Sequence, residues 1–216
     1  MSAPNRRVWL FDLDNTLHDA DPHIFPHINR AMTDYVARHT GLGDAEASML
    51  RETYWRRYGA TLLGLMRHHG TDPHHFLQQT HQFADLPGMV VYTPAIRHVL
   101  QRLPGTKIVF SNAPRQYAEA VLGIMGVRHA FDAVCAIEHM RFRPKPGIQG
   151  FRRLIHNHRL KPARCILVED SAENLKTAKR LGMRTIWISR EKRCPAWVDL
   201  RLESVLELPR RLGALG

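Results

Sequence analysis

Two carboxylates stand two residues apart in Phe11-Asp12-Leu13-Asp14-Asn15-Thr16, directly behind the apolar run Val8-Trp9-Leu10-Phe11. In extended chain, residues i and i+2 project to the same side, so Asp12 and Asp14 are expected to share one small volume. Like charges that close cannot both stay ionised without a partner: a cation bridges them, or one keeps a proton. Such a pair suits a reaction in which one carboxylate attacks and the other moves protons. Other polar groups follow later apolar runs in the same manner: Ser111-Asn112 behind Lys107-Ile108-Val109-Phe110, and Glu169-Asp170-Ser171 behind Cys165-Ile166-Leu167-Val168. Lys145 stands between Pro144 and Pro146 in a basic loop. Restricted dihedrals on both sides suit a positioned charge.

These groups need elements to hold them. An uninterrupted bulky apolar run such as Val8 to Phe11 reads as a strand of a parallel sheet, buried on both faces, and open parallel sheets bind ligands beyond the carboxyl ends of their strands. From residue 19 to 90 the pattern is helical. Asp21-Pro22 opens a first helix that Gly41 ends, and Asp44 opens a second that runs to Gly70 with Gly59 and Gly64 interrupting it. Each of those glycines costs about 1 kcal/mol in a helix interior, which predicts a kink or a close approach of another group. Asp72-Pro73 opens a third helix through Phe83 to Leu86-Pro87-Gly88. Strand and helix then alternate: a helix over Ile96 to Leu103, strand Lys107–Phe110, helix Arg115–Met125, strand Ala133–Ile137, a helix bearing Phe151 and Leu154, strand Cys165–Val168, a helix with Ser171 as N-cap, and strand Thr185–Ile188. Alternation of this kind predicts an α/β protein with a doubly wound parallel sheet, residues 1–18 and 91–216 forming the core domain and 19–90 an inserted all-helical cap. Glu191 to Gly216 reads as a short leucine-rich helical packing segment.

Composition sets the outer bounds. The chain has 216 residues, 44% of them hydrophobic and 24% charged, enough for one good core plus a smaller domain. No apolar run approaches a membrane span, and the N-terminus runs into a strand without a signal-like apolar region, so a cytoplasmic protein without membrane contact is expected. Cys135, Cys165 and Cys194 are widely spaced and read as reduced thiols. The 31 lysines and arginines against 20 acids give a formal charge of +11, but the basic residues are scattered and no nucleic-acid motif accompanies them. A solvated basic surface is expected, attractive to small phosphorylated anions, with nucleic acid an unfavoured partner. His68-His69, His74-His75 and His81 crowd one part of the cap without a cysteine or acid to complete a zinc set. Nothing sets an oligomeric state.

The order Asp12-Leu13-Asp14-Asn15-Thr16, Ser111-Asn112, Lys145, and Glu169-Asp170-Ser171 with Asn174 resembles the haloacid dehalogenase superfamily of aspartate-nucleophile phosphohydrolases over residues 6 to 190. The resemblance implies an HAD-like core with its cap between the first two motifs. It implies that Asp12 attacks the phosphorus of a monoester to form an aspartyl-phosphate, and that Asp14 protonates the leaving oxygen and later takes a proton from water. Ser111 and the backbone around Asn112 would donate to phosphoryl oxygens, with Asn15 and Thr16 beside the substrate. Lys145 would set a charge next to Asp12. Mg²⁺ is the implied cofactor, held by Asp12, the backbone carbonyl of Asp14 and Asp170, with Glu169 as a further ligand; hard oxygen donors suit it. His18 stands where relatives usually carry an apolar or aromatic residue, which predicts a more polar cap entrance. Asn174 replaces an acid found in many members.

Within the superfamily, Tyr58-Gly59 with Thr61 and Gly64-Leu65, the Ser111-Asn112-Ala113 turn and the run Glu169 to Asn174 resemble the pyrimidine 5′-nucleotidase group. That implies a nucleoside 5′-monophosphate as the small-molecule phosphate monoester, with Tyr54 or Tyr58 stacking on a base or simply packing in the cap. A phosphosugar phosphatase or phosphomutase on the same frame is the near alternative. A non-catalytic binder of phosphate or nucleic acid is the alternative of another class.

Overall fold

The computed structural model describes residues 7–211 and Gly213. Chain order is β1 (Val8–Phe11), α1 (Ile24–Thr40), α2 (Asp44–Tyr58), α3 (Thr61–His69), α4 (Pro73–Thr80), α5 (Leu86–Met89), α6 (Ile96–Arg102), β2 (Thr106–Phe110), α7 (Arg115–Ile124), β3 (Ala133–Cys135), α8 (Ile148–Asn157), β4 (Cys165–Glu169), α9 (Ala172–Arg180), β5 (Arg184–Ile188), β6 (Leu200–Leu202) and α10 (Leu208–Arg211). The strands form one parallel sheet in the order β3-β2-β1-β4-β5-β6. The order reverses at β1, and a crevice beyond the strand ends at such a reversal is where open α/β sheets take ligands.

Strand β1 is apolar throughout because both of its faces are covered. Trp9, Phe11 and Leu13 join the cluster that holds Val99, Leu100, Val121 and Leu122 of α6 and α7, whereas Leu10 faces Phe151, Leu154, Leu175 and Ala178 of α8 and α9. Full burial of side chains this large stabilises by about 1.5–3 kcal/mol each. Phe110 meets Phe151 edge-on at 5.0 Å, fixing α8 against β2.

Helices α1 to α5 fall between β1 and α6. Tyr35 of α1 packs edge-on to Phe76 of α4 at 5.0 Å. The single helix expected from Asp44 to Gly70 is two. Gly59 takes φ +81°, in the left-handed region, and caps α2, after which the chain restarts at Thr61. Gly64 supplies the close approach: the Tyr54 ring lies over it where a β-carbon would stand. The third helix stops at Thr80, short of Phe83, and Leu86–Met89 is a separate turn. The two connections at the rim lie side by side, with Asp19 N donating to Val91 O at 2.8 Å.

Three further details differ from expectation. Strand β3 ends at Cys135, and the tail contains an edge strand, β6. Ser171 precedes α9 without capping it through its hydroxyl. All three cysteines are free, Cys135 and Cys165 being buried. Among the described residues, no helix is long and apolar enough to cross a membrane.

Candidate active site

Strand pairing brings the acids together. Phe11 and Val168 are register partners, and Asp12 N donates to Val168 O at 3.0 Å, so Asp12 and Glu169 leave neighbouring strands at the same level. Lys145 reaches between them: its Nζ is 2.9 Å from Asp12 Oδ1 and 2.7 Å from Glu169 Oε2, with no part of the lysine or glutamate side chain exposed. Asn112 holds that lysine in place by its backbone. Its Nδ2 donates to Lys145 O at 3.0 Å, and its Oδ1 accepts from Lys145 N at 2.8 Å. The Asn112 side chain is therefore spent on the lysine loop.

Asp12, Glu169 and Asp170 each offer a carboxylate oxygen, and the three atoms lie within 4.8 Å of one another; among the described residues no other trio of His, Cys, Asp or Glu is so placed. Burial pushes the Asp12 carboxyl well up, Glu169 adds to this, and Lys145 opposes it. Glu169 is raised by burial against the pull of Lys145, and Asp170 by burial and by Asp12. Burial works against the lysine charge too, yet Asp12 and Glu169 lift its pKa above the ordinary value. One ammonium against three closely set carboxylates leaves excess negative charge in a low-dielectric place, and a hard divalent cation fits that donor set. Both Glu169 oxygens already have partners, Lys145 Nζ on Oε2 and Ser171 N on Oε1 at 3.2 Å, so Asp12 and Asp170 are the better-disposed metal ligands.

The nucleophile candidate is aimed. Asp12 Oδ1 accepts from Leu13 N at 2.8 Å as well as from Lys145, and no N–H or O–H of the described residues reaches Oδ2. Asp14 shows the same asymmetry with different partners: Tyr117 Oη donates to its Oδ1 at 2.7 Å, and His18 Nε2 lies 2.9 Å from that same oxygen. Here His18 departs from expectation: it is a buried partner of Asp14 and not a polar residue of the cap entrance. The Asp14 carboxylate stays outside the trio, which leaves its implied metal contact to the backbone carbonyl. Ser111 is buried, and its Oγ accepts from Ala113 N at 3.0 Å, which leaves the hydroxyl hydrogen free to donate.

A cavity of about 690 Å³ opens over this group, lined by Asp12, Asp14, Ser111, Asn112, Glu169, Asp170 and Asn174 from the sheet side. The lining from helices α1 to α4 is largely apolar, with Phe25, Ile28, Met32, Leu62 and Phe76, and is broken by the polar residues Asn29, Arg51, Glu52 and Arg56. Lys145, buried beneath, supports it through Asp12. Tyr58 is not in this lining; its hydroxyl pairs with His68 Nε2 at 2.6 Å, and Trp55, one turn earlier on α2, faces the cavity instead. Tyr54 covers Gly64. Asn15 and Thr16 line a second cavity, about 590 Å³, on the far side of the loop, where the Asn15 side chain bridges Asp21 and Ala20 N.

Sequence reasoning passed over Tyr117, Arg51 and Trp55. Tyr117 sits on α7 three residues past Pro114 and is 3% exposed, so by pattern it is a core aromatic. His18, four residues past Asp14, carried the one available signal, a polar residue at an unusual position.

The model of haloacid dehalogenase-like hydrolases matches residues 9–188, and the chain belongs to that family. It is 26% identical over 195 residues to fructose-1-phosphate phosphatase of Escherichia coli strain K12, covering 82% of this chain and 93% of that protein. It is 25% identical over 197 residues to phosphate metabolism protein 8 of Saccharomyces cerevisiae, covering 83% of this chain but only 60% of the yeast protein's length. The solved HAD phosphatase of Thermococcus onnurineus superposes with a TM-score of 0.66 at 22% identity, covering 96% of this chain and 98% of that one. The CbbY structure of Rhodobacter sphaeroides in complex with phosphate gives 0.64 at 21% identity, covering 94% and 96%.

Proposed function

We propose that this protein is a Mg²⁺-dependent phosphomonoesterase working through an aspartyl-phosphate, with a nucleoside 5′-monophosphate, pyrimidine in first place, as substrate. One observation carries the reading. Asp12 and Asp14 both line the cavity, each with Oδ1 fixed by two neighbouring groups and no N–H or O–H of the described residues on Oδ2, and a buried lysine stands against the first of them.

The chemistry follows from that asymmetry. Asp12 Oδ2 attacks phosphorus, the ester P–O bond breaks, and the departing oxygen takes a proton from Asp14. Water then attacks the aspartyl-phosphate and gives its proton to Asp14, the bond between phosphorus and Asp12 breaks, and inorganic phosphate leaves. Lys145 favours the ionised form of Asp12 against burial and offsets charge as it builds up. The Ser111 hydroxyl donates to a phosphoryl oxygen. Asp12, Asp170 and the Asp14 carbonyl would hold Mg²⁺, which when bound would supply positive charge near the phosphoryl group. Glu169 serves chiefly to fix Lys145.

The cap supports the nucleotide. Trp55 is 59% exposed while lining the cavity, and Phe142 lines it too, giving aromatic surface on which a base can stack. Arg51, tied to Asn29 Oδ1 at 3.0 Å, offers N–H donors for carbonyl oxygens on the base edge. A sugar phosphate is the second reading, favoured by the name of the E. coli relative. Three free cysteines support a cytoplasmic setting.

A panel of phosphate esters at neutral pH tests the function: uridine, cytidine and purine 5′-monophosphates, fructose 1-phosphate and p-nitrophenyl phosphate, each with Mg²⁺ or with chelator. Release of inorganic phosphate that stops with chelator is expected, fastest with the pyrimidine nucleotides. Mg²⁺ alone should also raise the thermal midpoint, by the equivalent of about 2.7 kcal/mol at a hundred times its Kd. Hydrolysis indifferent to chelator, or no hydrolysis of any ester, overturns the proposal.

A further inference from the structure

We propose that Tyr117 and His18 are positioning residues for the proton transfer at the leaving group, acting by holding Asp14 so that its Oδ2 faces the departing oxygen. The inference rests on the reading of Asp14 as general acid. It adds how that acid is aimed and which residues do the aiming.

The two partners come from different parts of the chain and converge on one atom. Tyr117 Oη donates to Asp14 Oδ1 at 2.7 Å across 103 residues of sequence, from the first turns of α7. His18 Nε2, on the connection to the cap, lies 2.9 Å from the same oxygen. A carboxyl oxygen that carries no proton can only accept, which assigns the histidine hydrogen to Nε2. The other ring nitrogen agrees: His18 Nδ1 is buried without a partner among the described residues, and the Nε2–H tautomer avoids leaving an unpaired N–H there. Two donors on Oδ1 stabilise charge at that atom and fix the plane of the group. The proton to be delivered then belongs on Oδ2, the oxygen that no donor among the described residues engages.

Tyr117 is itself held, and His18 is buried. Tyr117 is 3% exposed, with the Phe83 ring 5.5 Å away and His81 edge-on at 5.8 Å. Neither Tyr117 nor His18 lines the 690 Å³ cavity, so neither is placed to touch substrate.

Leaving-group dependence separates positioning from bulk stability. Nucleotide hydrolysis expels an alkoxide that needs a proton, whereas p-nitrophenolate departs without one. The readout is kcat/KM, because it covers the steps through formation of the phosphoenzyme and excludes the later attack by water. Tyr117→Phe should lower kcat/KM for uridine 5′-monophosphate about tenfold to a hundredfold, the worth of one hydrogen bond to a charged group, and leave p-nitrophenyl phosphate within about threefold. His18→Leu should act in the same direction, and His18→Gln, which restores an N–H donor, should recover most of the loss. Equal losses on both esters, no loss on the nucleotide, or His18→Gln no better than His18→Leu would overturn the inference. If Tyr117→Phe fails to fold, the two His18 variants decide. Asp14→Asn is run alongside: if it hydrolyses the nucleotide as wild type does, the general-acid reading itself falls.

Discussion

Lys145 and Glu169 form a buried ion pair at 2.7 Å, and Asp12 lies 2.9 Å from the same ammonium. Removing one member of such a group leaves uncompensated charge in the interior, at a cost of about 3–5 kcal/mol. Lys145→Met is therefore expected to destabilise the protein by that amount in urea unfolding and to abolish hydrolysis. Lys145→Met combined with Glu169→Gln should regain part of the lost stability but none of the activity, because one surplus carboxylate is gone while Asp12 still lacks its cation. A double variant less stable than the single one would contradict this account.

Asp12→Asn should keep the fold and lose nearly all hydrolysis, since an amide is a poor nucleophile toward phosphorus. Phosphate release that stays within about tenfold of wild type, about 1.4 kcal/mol, would remove Asp12 as the attacking group. Asp14→Asn should permit at most slow phosphorylation. Trapping the phosphoenzyme after acid quench in that variant, by intact-protein mass, checks the order of events.

His81 gives a pH dependence with a definite sign. Burial pushes its pKa down to about 4, with Asp14 and the Leu77 carbonyl pulling the other way. The unfolded chain takes up the proton near 6.5, the folded one only near 4, so between these values the unfolded state binds more protons. The contribution is fully present above about pH 6.5 and is lost as pH falls toward 4, amounting to up to about 3 kcal/mol. The raised carboxyls of Asp12 and Asp170 tilt the wild-type curve the opposite way, so the measurement is a difference: thermal melts of wild type and His81→Phe from pH 7 to 4.5. Wild type should lose more stability than the variant on acidification; parallel curves would refute it.

Arg51 is expected to sort substrates. Its Nη1 is committed to Asn29 at 3.0 Å and its Nη2 lies 3.5 Å from Glu52, while Nε is buried without an acceptor among the described residues, so the guanidinium is only partly satisfied there. Arg51→Met should raise KM for uridine 5′-monophosphate about tenfold, the worth of one charged hydrogen bond, and hardly change KM for phenyl phosphate, which presents no carbonyl. Equal effects on both esters would mean that Arg51 only braces the cap.

Much of this arrangement was legible in the sequence, for reasons that differ by element. Strand β1 announced itself because burial on both faces demands an unbroken apolar run, and the acids that follow fall at the end where the sheet reverses. Strand β6 did not, because Leu200-Arg201-Leu202 is a three-residue edge with an arginine in its middle and no period to read. Gly59 was visible as an interruption, but a glycine that bends a helix and one that ends it look alike until the backbone takes φ +81°. Which face of α2 meets the cavity was hidden, since its aromatic residues Tyr54, Trp55 and Tyr58 surround much of the helix and only packing chose Trp55. Tyr117 was hidden more thoroughly: its ring is core, its hydroxyl does the positioning, and patterns of hydrophobicity register the ring alone.

The contact between Asp19 N and Val91 O carries a consequence for how such a molecule can change. The excursion of some seventy residues leaves and rejoins the sheet at adjacent points, so an excursion of another length or sequence could be spliced there at little entropic cost, with the strand pairing untouched. Selection for a new ester and preservation of the reaction can then proceed as separate tasks, the first written into the splice and the second into the frame that carries it.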